Sequence, residues 1–273
     1  MRRGVLVVLT LLGILSCLCP AAGPSLFLIH AYGQDAKSIT PRITATEPAA
    51  LASGSKVTLK VRGFELKGAT ELRFVRPAEA GGTDSNAAPI RVEIKETKDA
   101  GQAKGLDNKL VGGTQLVAEL TLPDDLPAGI YDYVIVTPSG EAKEKIRVLA
   151  PDAVVDEKES NNGFDEAQEL TLGKYSRGSI QSDKDVDVFA LPTKAGQQLK
   201  ITLISGGPLL IDAQLDCYDS RRQFLASCDD EKSRDPVATF KTLADGIVYI
   251  CVSSAHDIGG EWHSYLLAVE DVK

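Results

Sequence analysis

From Ile39 onward the chain keeps no helical repeat of apolar residues. Short runs of alternating apolar and polar residues follow one another, broken by Gly, Pro, Asp and Asn. A chain patterned this way has one stable solution, sheets packed face to face. In the first half the runs are Arg42–Thr46, Lys56–Val61, Glu71–Val75, Ile90–Ile94, Leu116–Leu122, Tyr131–Thr137 and Lys145–Leu149. Val57, Leu59 and Val61 alternate with Thr58 and Lys60, giving one buried and one wet face. In the second half they are Gly178–Gln181, Asp187–Leu191, Gln198–Ile204, Ala213–Tyr218, Phe224–Ser227, Val237–Lys241, Gly246–Ser253 and Ser264–Val269. Only Asn162–Glu169 reads as a short helical turn. Ala78–Pro89 and Thr97–Thr114 are rich in Gly and Ala and are expected as surface loops. With 273 residues available, the expected fold is all-β, two β-sandwiches in tandem.

The first 33 residues are different. Arg2 and Arg3 precede the uncharged run Val5–Leu18, the pattern of a secretory signal, and Ala31-Tyr32-Gly33 offers small residues for cleavage before Gln34. Two alternatives stand beside it. Ile14-Leu15-Ser16-Cys17 loosely resembles a lipoprotein box, and the uncharged stretch reaches Tyr32, long enough for a retained anchor helix although Pro20, Gly23 and Pro24 interrupt it. Each reading exports the chain to a periplasmic, cell-surface or extracellular compartment, with no membrane span in the mature form unless the signal is retained. Beyond residue 33 remain 28 basic and 38 acidic side chains, a balance of −10. Nucleic acid is therefore excluded as a partner. Cys217, Cys228 and Cys251 also remain, so either one disulfide with a leftover thiol or three buried thiols is expected.

Residues 40–149 carry Val61-Arg62-Gly63-Phe64 and Pro127-Ala128-Gly129-Ile130-Tyr131. With about seven strands in this span, the segment resembles the IPT/TIG branch of the immunoglobulin superfold, which implies a structural or binding module. Ala150-Pro151-Asp152 then begins a charged, extended stretch that runs to Gly163. Over residues 154–271 a longer series of motifs follows in order. Glu157-x-Glu159-x-Asn161-Asn162 leads to Phe164 and Ala167; Gly178-Ser179-Ile180 precedes Asp185-Val186-Asp187-Val188-Phe189; Leu215-Asp216-Cys217-Tyr218-Asp219 and Gly246-Ile247-Val248-Tyr249-Ile250 come later. Together they resemble the bacterial pre-peptidase C-terminal domain. That resemblance implies a jelly-roll-like sandwich appended to exported proteins, often peptidases, with calcium stapling the entry segment to the sandwich. The expected organisation is a signal peptide at 1–33, an IPT/TIG-like domain at 34–149, an acidic linker at 150–163 and the pre-peptidase C-terminal sandwich at 164–273, its entry segment starting near 154.

The carboxylates have a pattern of their own. Glu157, Glu159 and Asn161 alternate, and an extended segment points all three the same way, with neighbours about 6.6 Å apart. Asn161-Asn162-Gly163 is a turn signal placed to bend them together. Asp185 and Asp187 share the parity of Phe189 and Leu191, the residues expected in the core. Carboxylates there cost several kcal/mol unless paired or bound to a cation, and calcium takes about 6–8 oxygens. Calcium is therefore expected at Glu157, Glu159, Asn161, Asn162, Ser179, Asp185 and Asp187. The competing reading is a solvated acidic linker with Lys184 neutralising part of the charge. Asp229-Asp230-Glu231 reads as a solvated turn.

Enzyme chemistry finds little support. Past the signal only His256 and His263 carry an imidazole, both expected on a surface loop; Trp262 beside them is expected to pack. No Gly-x-Ser-x-Gly elbow, zinc-protease His pair or phosphate loop occurs. The expected function is a non-catalytic exported binding or adhesion module with a calcium-rigidified linker, its partner an extracellular protein or a polysaccharide. An accessory or chaperone-like module serving a separate secreted peptidase is the alternative. A carboxylate-pair hydrolase would require both acids to face a deep cleft.

Overall fold

The computed structural model describes residues 40–76, 89–207, 211–229 and 235–272. The N-terminal segment expected as a signal, most of the Ala78–Pro89 stretch expected as a loop, and Asp230-Glu231 lie outside the described residues. The fold is all-β, and four sheets form two sandwiches.

The first sandwich is built from β1 (Arg42–Glu47), β2 (Ala50–Ala52), β3 (Lys56–Phe64), β4 (Glu71–Val75), β5 (Arg91–Asp99), β6 (Thr114–Thr121), β7 (Gly129–Thr137) and β8 (Gly140–Leu149). One sheet has the order β1-β3-β6-β5 and the other β2-β8-β7-β4. Alternation does what the pattern demands. Leu59 and Val61 of β3, Leu116, Ala118 and Leu120 of β6, and Tyr131, Tyr133 and Ile135 of β7 all point into the shared core. The Tyr131 hydroxyl donates to Pro127 O at 2.8 Å and fixes the corner before β7. The short β2, parallel to β8, carries no alternation to read from sequence.

The second sandwich holds β9 (Val154–Asp156), β10 (Gln168–Glu169), β11 (Tyr175–Ser179), β12 (Val186–Thr193), β13 (Gln198–Ser205), β14 (Ala213–Tyr218), β15 (Phe224–Cys228), β16 (Val237–Lys241), β17 (Gly246–Ser254) and β18 (Ser264–Asp271). Its sheets run β10-β12-β17-β14-β15 and β16-β13-β18-β11-β9. The charged stretch after Ala150 makes a 3-10 turn and then β9, which pairs parallel with β11. Residues 162–169 are not helical: one turn closes from Glu166 N to Gly163 O, and β10 follows, paired with β12. Beside the open edge of β12, whose other edge is paired with β17, this segment satisfies more hydrogen bonds in the sheet than in one isolated helical turn.

β18 is buried along both faces from Ser264 to Val269. Tyr265, Leu267 and Val269 enter the sandwich core, and Leu266 packs outward on Ala50 and Leu149 of the first sandwich. The two sandwiches therefore share surface directly. Thr46 N donates to Gly206 O at 2.7 Å, Ser264 Oγ donates to Thr46 O at 2.9 Å, and Arg177 Nη1 donates to Ala50 O at 2.8 Å. Lys60–Glu261 and Lys104–Asp183 ion pairs close at 3.0 and 2.8 Å.

The stretch Thr97–Thr114, expected as a loop, departs from that expectation. Its first residues extend β5, and Ala103 and Val111 are buried with Ala45 against Trp262. Small side chains are what let this segment approach the junction. Between its ends lies α1 (Asn108–Val111), and Gly112, with φ of +80°, lies against Gly63, where a Cβ would meet the Gly63 carbonyl oxygen at 2.1 Å. Arg62, 1% exposed, is satisfied here: Nε donates to Gly112 O at 3.1 Å, and Nη2 to Gly101 O at 2.7 Å and Asn108 Oδ1 at 2.8 Å. Its guanidinium lies 5.8 Å from the Trp262 ring.

Trp262 is the one tryptophan of the chain, so its fluorescence reports the junction. In urea, Trp emission and far-UV CD are expected to share one midpoint, because opening the junction exposes apolar surface of both sandwiches. Arg62→Met is expected to lower that stability by about 1–3 kcal/mol, the cost of leaving its buried acceptors unpaired. Two separated midpoints in the parent protein would show that the junction opens alone.

Candidate metal centre

Glu157 follows β9 directly, and its backbone N–H donates to Arg177 O at 2.9 Å, continuing the parallel pairing with β11. This pins the Glu157 side chain over Gly178, where Oε2 accepts from Ser179 N at 2.7 Å. Asp187 sits in β12 with the core parity of Phe189 and Leu191 and is 0% exposed. Its Oδ2 accepts from the Tyr265 hydroxyl at 2.6 Å, and the same hydroxyl lies 3.4 Å from Glu157 Oε2. Carboxylate oxygens of Glu157, Glu159 and Asp187 all lie within 4.8 Å of one another. Asn161, fully buried, is tied to β12 by Val188 N donating to its carbonyl at 2.9 Å.

Four buried atoms here have no hydrogen-bond partner: Glu157 Oε1, Asp187 Oδ1, and Oδ1 and Nδ2 of Asn161. Two of these belong to the Glu157 and Asp187 carboxylates themselves. Burial first, then the Glu157 charge, raises the Asp187 pKa to about 9; burial likewise raises Glu157. At neutral pH Asp187 therefore keeps its proton in the absence of a cation, and ionising both carboxylates is costly.

The seven residues singled out from sequence divide into two groups. Carboxylate oxygens of Glu157, Glu159 and Asp187 converge, and Asn161 adjoins them through its backbone N–H, which donates to Glu159 Oε2 at 3.3 Å. Asp185 is buried next to them, and its Oδ2 accepts from Gln181 N at 2.6 Å. The Asn162 amide nitrogen lies 3.4 Å from Glu159 Oε2; in the swapped amide orientation it donates instead to Asp185 Oδ1 at 2.7 Å and Val186 O at 3.2 Å. Ser179 offers a backbone N–H to Glu157 and thereby positions the carboxylate. Sequence reasoning missed Tyr265 and Gly178. The strand parity of β18 points Tyr265 inward, but only the pairing of Gly178 with Tyr265 brings its hydroxyl to the carboxylates. A Cβ on Gly178 would meet Glu157 Oε2 at 2.0 Å and Tyr265 OH at 2.5 Å.

Of the three acids only Glu157 lines the adjoining cleft of about 300 Å³. Asp187 is sealed inside, so the pair does not face a common cleft as the two acids of a glycosidase do. A larger cleft of about 510 Å³ between the sandwiches, floored by Ile130, Ile204 and Leu266, contains no member of the cluster. His256 pairs with Asp212 at 3.1 Å on the surface. His263, expected on a surface loop, is instead 4% exposed, because the loop carrying it is pressed into the junction with Trp262. Among the described residues neither Ser253 nor Ser254 hydrogen-bonds a histidine. The three cysteines are free and buried. Cys217 faces the core, whereas Cys251 pairs with Asp216 on the opposite face of the sheet. Burial pushes both thiols up to about 12 and keeps them unreactive.

No protein-family profile matches the chain. A stretch of 109 residues, 37% of the chain, is 33% identical to a probable subtilase-type serine protease of Deinococcus radiodurans and covers 15% of that protein. The chain thus spans a small fraction of the relative's length. Among solved structures, the pre-peptidase C-terminal domain of a Bacillus anthracis collagenase aligns at a TM-score of 0.33 and 16% identity, over 38% of this chain and 94% of that one. SGBP-B of a Bacteroides ovatus mixed-linkage glucan utilization locus, solved with a heptasaccharide, aligns at 0.26 and 10%, over 83% of this chain and 73% of that one. At these scores neither structural likeness carries functional weight.

Two outcomes are expected from this geometry. Gly178→Ala forces Glu157 and Tyr265 apart and costs about 1–3 kcal/mol in urea denaturation. Burial, opposed by the Gly260 backbone and by Asp183, lowers the His263 pKa. The folded protein therefore keeps His263 neutral where the unfolded chain takes up a proton. Its contribution is whole above the unfolded value of about 6.5 and is lost as pH falls toward the depressed folded value. The stability gap between parent and His263→Gln is expected to shift toward the variant from pH 7.5 to 5; a pH-independent gap would contradict this assignment.

Proposed function

We propose that this chain is a non-catalytic exported binding module whose second sandwich belongs with pre-peptidase C-terminal domains, and that calcium holds its entry segment in place. The observation that carries the metal reading is the set of orphaned buried oxygens, Glu157 Oε1, Asp187 Oδ1 and Asn161 Oδ1, beside Glu159. All are hard oxygen donors, the kind calcium selects, and calcium's flexible coordination tolerates a mix of carboxylate and amide ligands. Glu157, Glu159, Asn161 and Asp187 would hold the ion, and Ser179 N–H, Tyr265 and Gly178 would shape the cradle. Asp185 and Asn162 would brace the turn before β12. The N-terminal segment would act as the export signal, and the first sandwich would be an IPT/TIG-like spacer. The ion would rigidify the linker at 150–163, beside the direct contacts that also join the two sandwiches.

A second reading has its own support. The identity shared with a subtilase-type protease over 109 residues fits an accessory module that works beside a separate secreted peptidase. Copurification of a peptidase from the native envelope would favour this reading over adhesion to an extracellular protein or polysaccharide.

The test is thermal unfolding of the purified protein with calcium and with chelator. At a calcium concentration 100 times Kd the gain is about 2.7 kcal/mol, a rise of about 5–10 °C for a chain of this size. Asp187→Asn is expected to abolish the rise without lowering the calcium-free Tm, since an amide has no charge to desolvate. A parent protein indifferent to calcium would end the metal reading.

A further inference from the structure

The first sandwich packs on the outer face of the β16-β13-β18-β11-β9 sheet; among the described residues the outer face of the β10-β12-β17-β14-β15 sheet is met only by its own connecting segments. On that second face three aromatic residues lie side by side across adjacent strands. Tyr249 of β17 pairs with Tyr218 of β14, which pairs with Phe224 of β15. Tyr218 and Phe224 meet edge to face at 6.0 Å, and Phe224 is 60% exposed. The next rung along the strands is polar: Asp216 sits between Cys251 and Ser227, and one step further Gln214 pairs with Ser253. The Gln214 amide donates to Asp216 Oδ2 at 3.2 Å, which orients the carboxylate.

A fourth ring comes from outside the sheet. Phe164, in the entry segment, packs edge-on against Tyr249 at 5.0 Å and Tyr218 at 5.3 Å. Arg222, paired with Asp165, lies over the Phe164 ring at 5.3 Å and closes it in place. Phe164 is three residues beyond Asn161, whose carbonyl is bonded to β12. The rung is therefore completed by the same segment that carries Glu157, Glu159 and Asn161.

We propose that this face binds a neutral polysaccharide, and that its binding is calcium-dependent because the ion holds the segment bearing Phe164. The occupant follows from the chemistry of the face. A sugar ring presents an apolar C–H face for stacking on an aromatic ring, and hydroxyls at its edge that both donate and accept, as the amide–carboxylate rung beside the aromatics requires. Asp216 and Asp219, on a chain with a balance of −10 beyond its first 33 residues, oppose an anionic polymer. Among the described residues the large exposed apolar side chains here are Phe224 and Ile247. With only these two large apolar side chains exposed, the face is a narrow strip that fits a chain-like ligand crossing three strands. The calcium dependence rests on the metal reading above; the face itself does not.

The test is native affinity electrophoresis of the purified full chain in gels containing soluble neutral β-glucan, arabinoxylan or galactomannan, with polygalacturonate as the anionic comparison. Each gel is run with calcium and with EGTA, and Tm is measured in both buffers. Retardation by at least one neutral polymer in calcium is expected, with none by polygalacturonate. EGTA is expected to weaken it, and Phe224→Ala to weaken it at least tenfold while keeping the calcium-induced rise in Tm. Four results overturn the proposal: no retardation by any neutral polymer when Tm does rise with calcium, equal retardation by polygalacturonate, an unaffected Phe224→Ala, or retardation that EGTA leaves unchanged. A missing Tm rise alone sinks the metal reading and is distinguishable from all four.

Discussion

A carboxylate at the edge of a β-sandwich core must find a partner, and the second sandwich depends on how that demand is met. Asp187 enters the interior with the same parity as Phe189, so no rotamer returns it to solvent. Glu157 is brought to it by the parallel pairing of β9 with β11, and the Tyr265 hydroxyl stands between them. One phenol supplies one proton for several oxygens. The entry segment has no apolar stripe of its own before Phe164, so its position over the sheet edge depends on how completely this cluster is satisfied.

Consecutive residues of β18 connect that cluster to the first sandwich. Tyr265 turns inward to Glu157 and Asp187, while Ser264 turns outward to Thr46 and Leu266 to Ala50 and Leu149. Alternation along a strand places the two sets on opposite faces of one backbone, and a strand covered on both sides is stiff. Displacement of Tyr265 therefore displaces a strand that also bears the junction. This geometry explains why Gly178 is glycine: the space beside Tyr265 is taken by the Glu157 carboxylate.

What the sequence shows and what it conceals follow from the range of the interactions. Strand alternation is local, so the sandwich architecture is legible, and so is the inward parity of Asp187. The bend at Asn161-Asn162-Gly163 is likewise local turn chemistry. Gly178 and Tyr265 are 87 residues apart in the chain and meet only through strand pairing, which no local pattern encodes. The junction is hidden for the same reason. Thr97–Thr114 reads as a solvated loop because Ala and Gly give no periodic signal, yet their small size is what admits Trp262 and Arg62. Asp185 has the parity of Asp187 but precedes the strand, and its Oδ2 accepts from Gln181 N in its own turn.

The docking of the two sandwiches also decides which surface is left for a partner. A β-sandwich has two outer faces, and covering one with its neighbour leaves the other open to a partner. Here the covered face is apolar, with Leu266 and Ile204 at its centre, and the uncovered face carries tyrosines and a phenylalanine interleaved with Asp216 and Gln214. The same division puts Cys251 with Asp216 on the outer face and Cys217 in the core, on opposite sides of one sheet. Because β14 and β17 are direct neighbours, these two thiols could meet only if one strand turned over. Among the described residues the sheet is ordered by packing and by the carboxylate cluster, with Cys217, Cys228 and Cys251 all free.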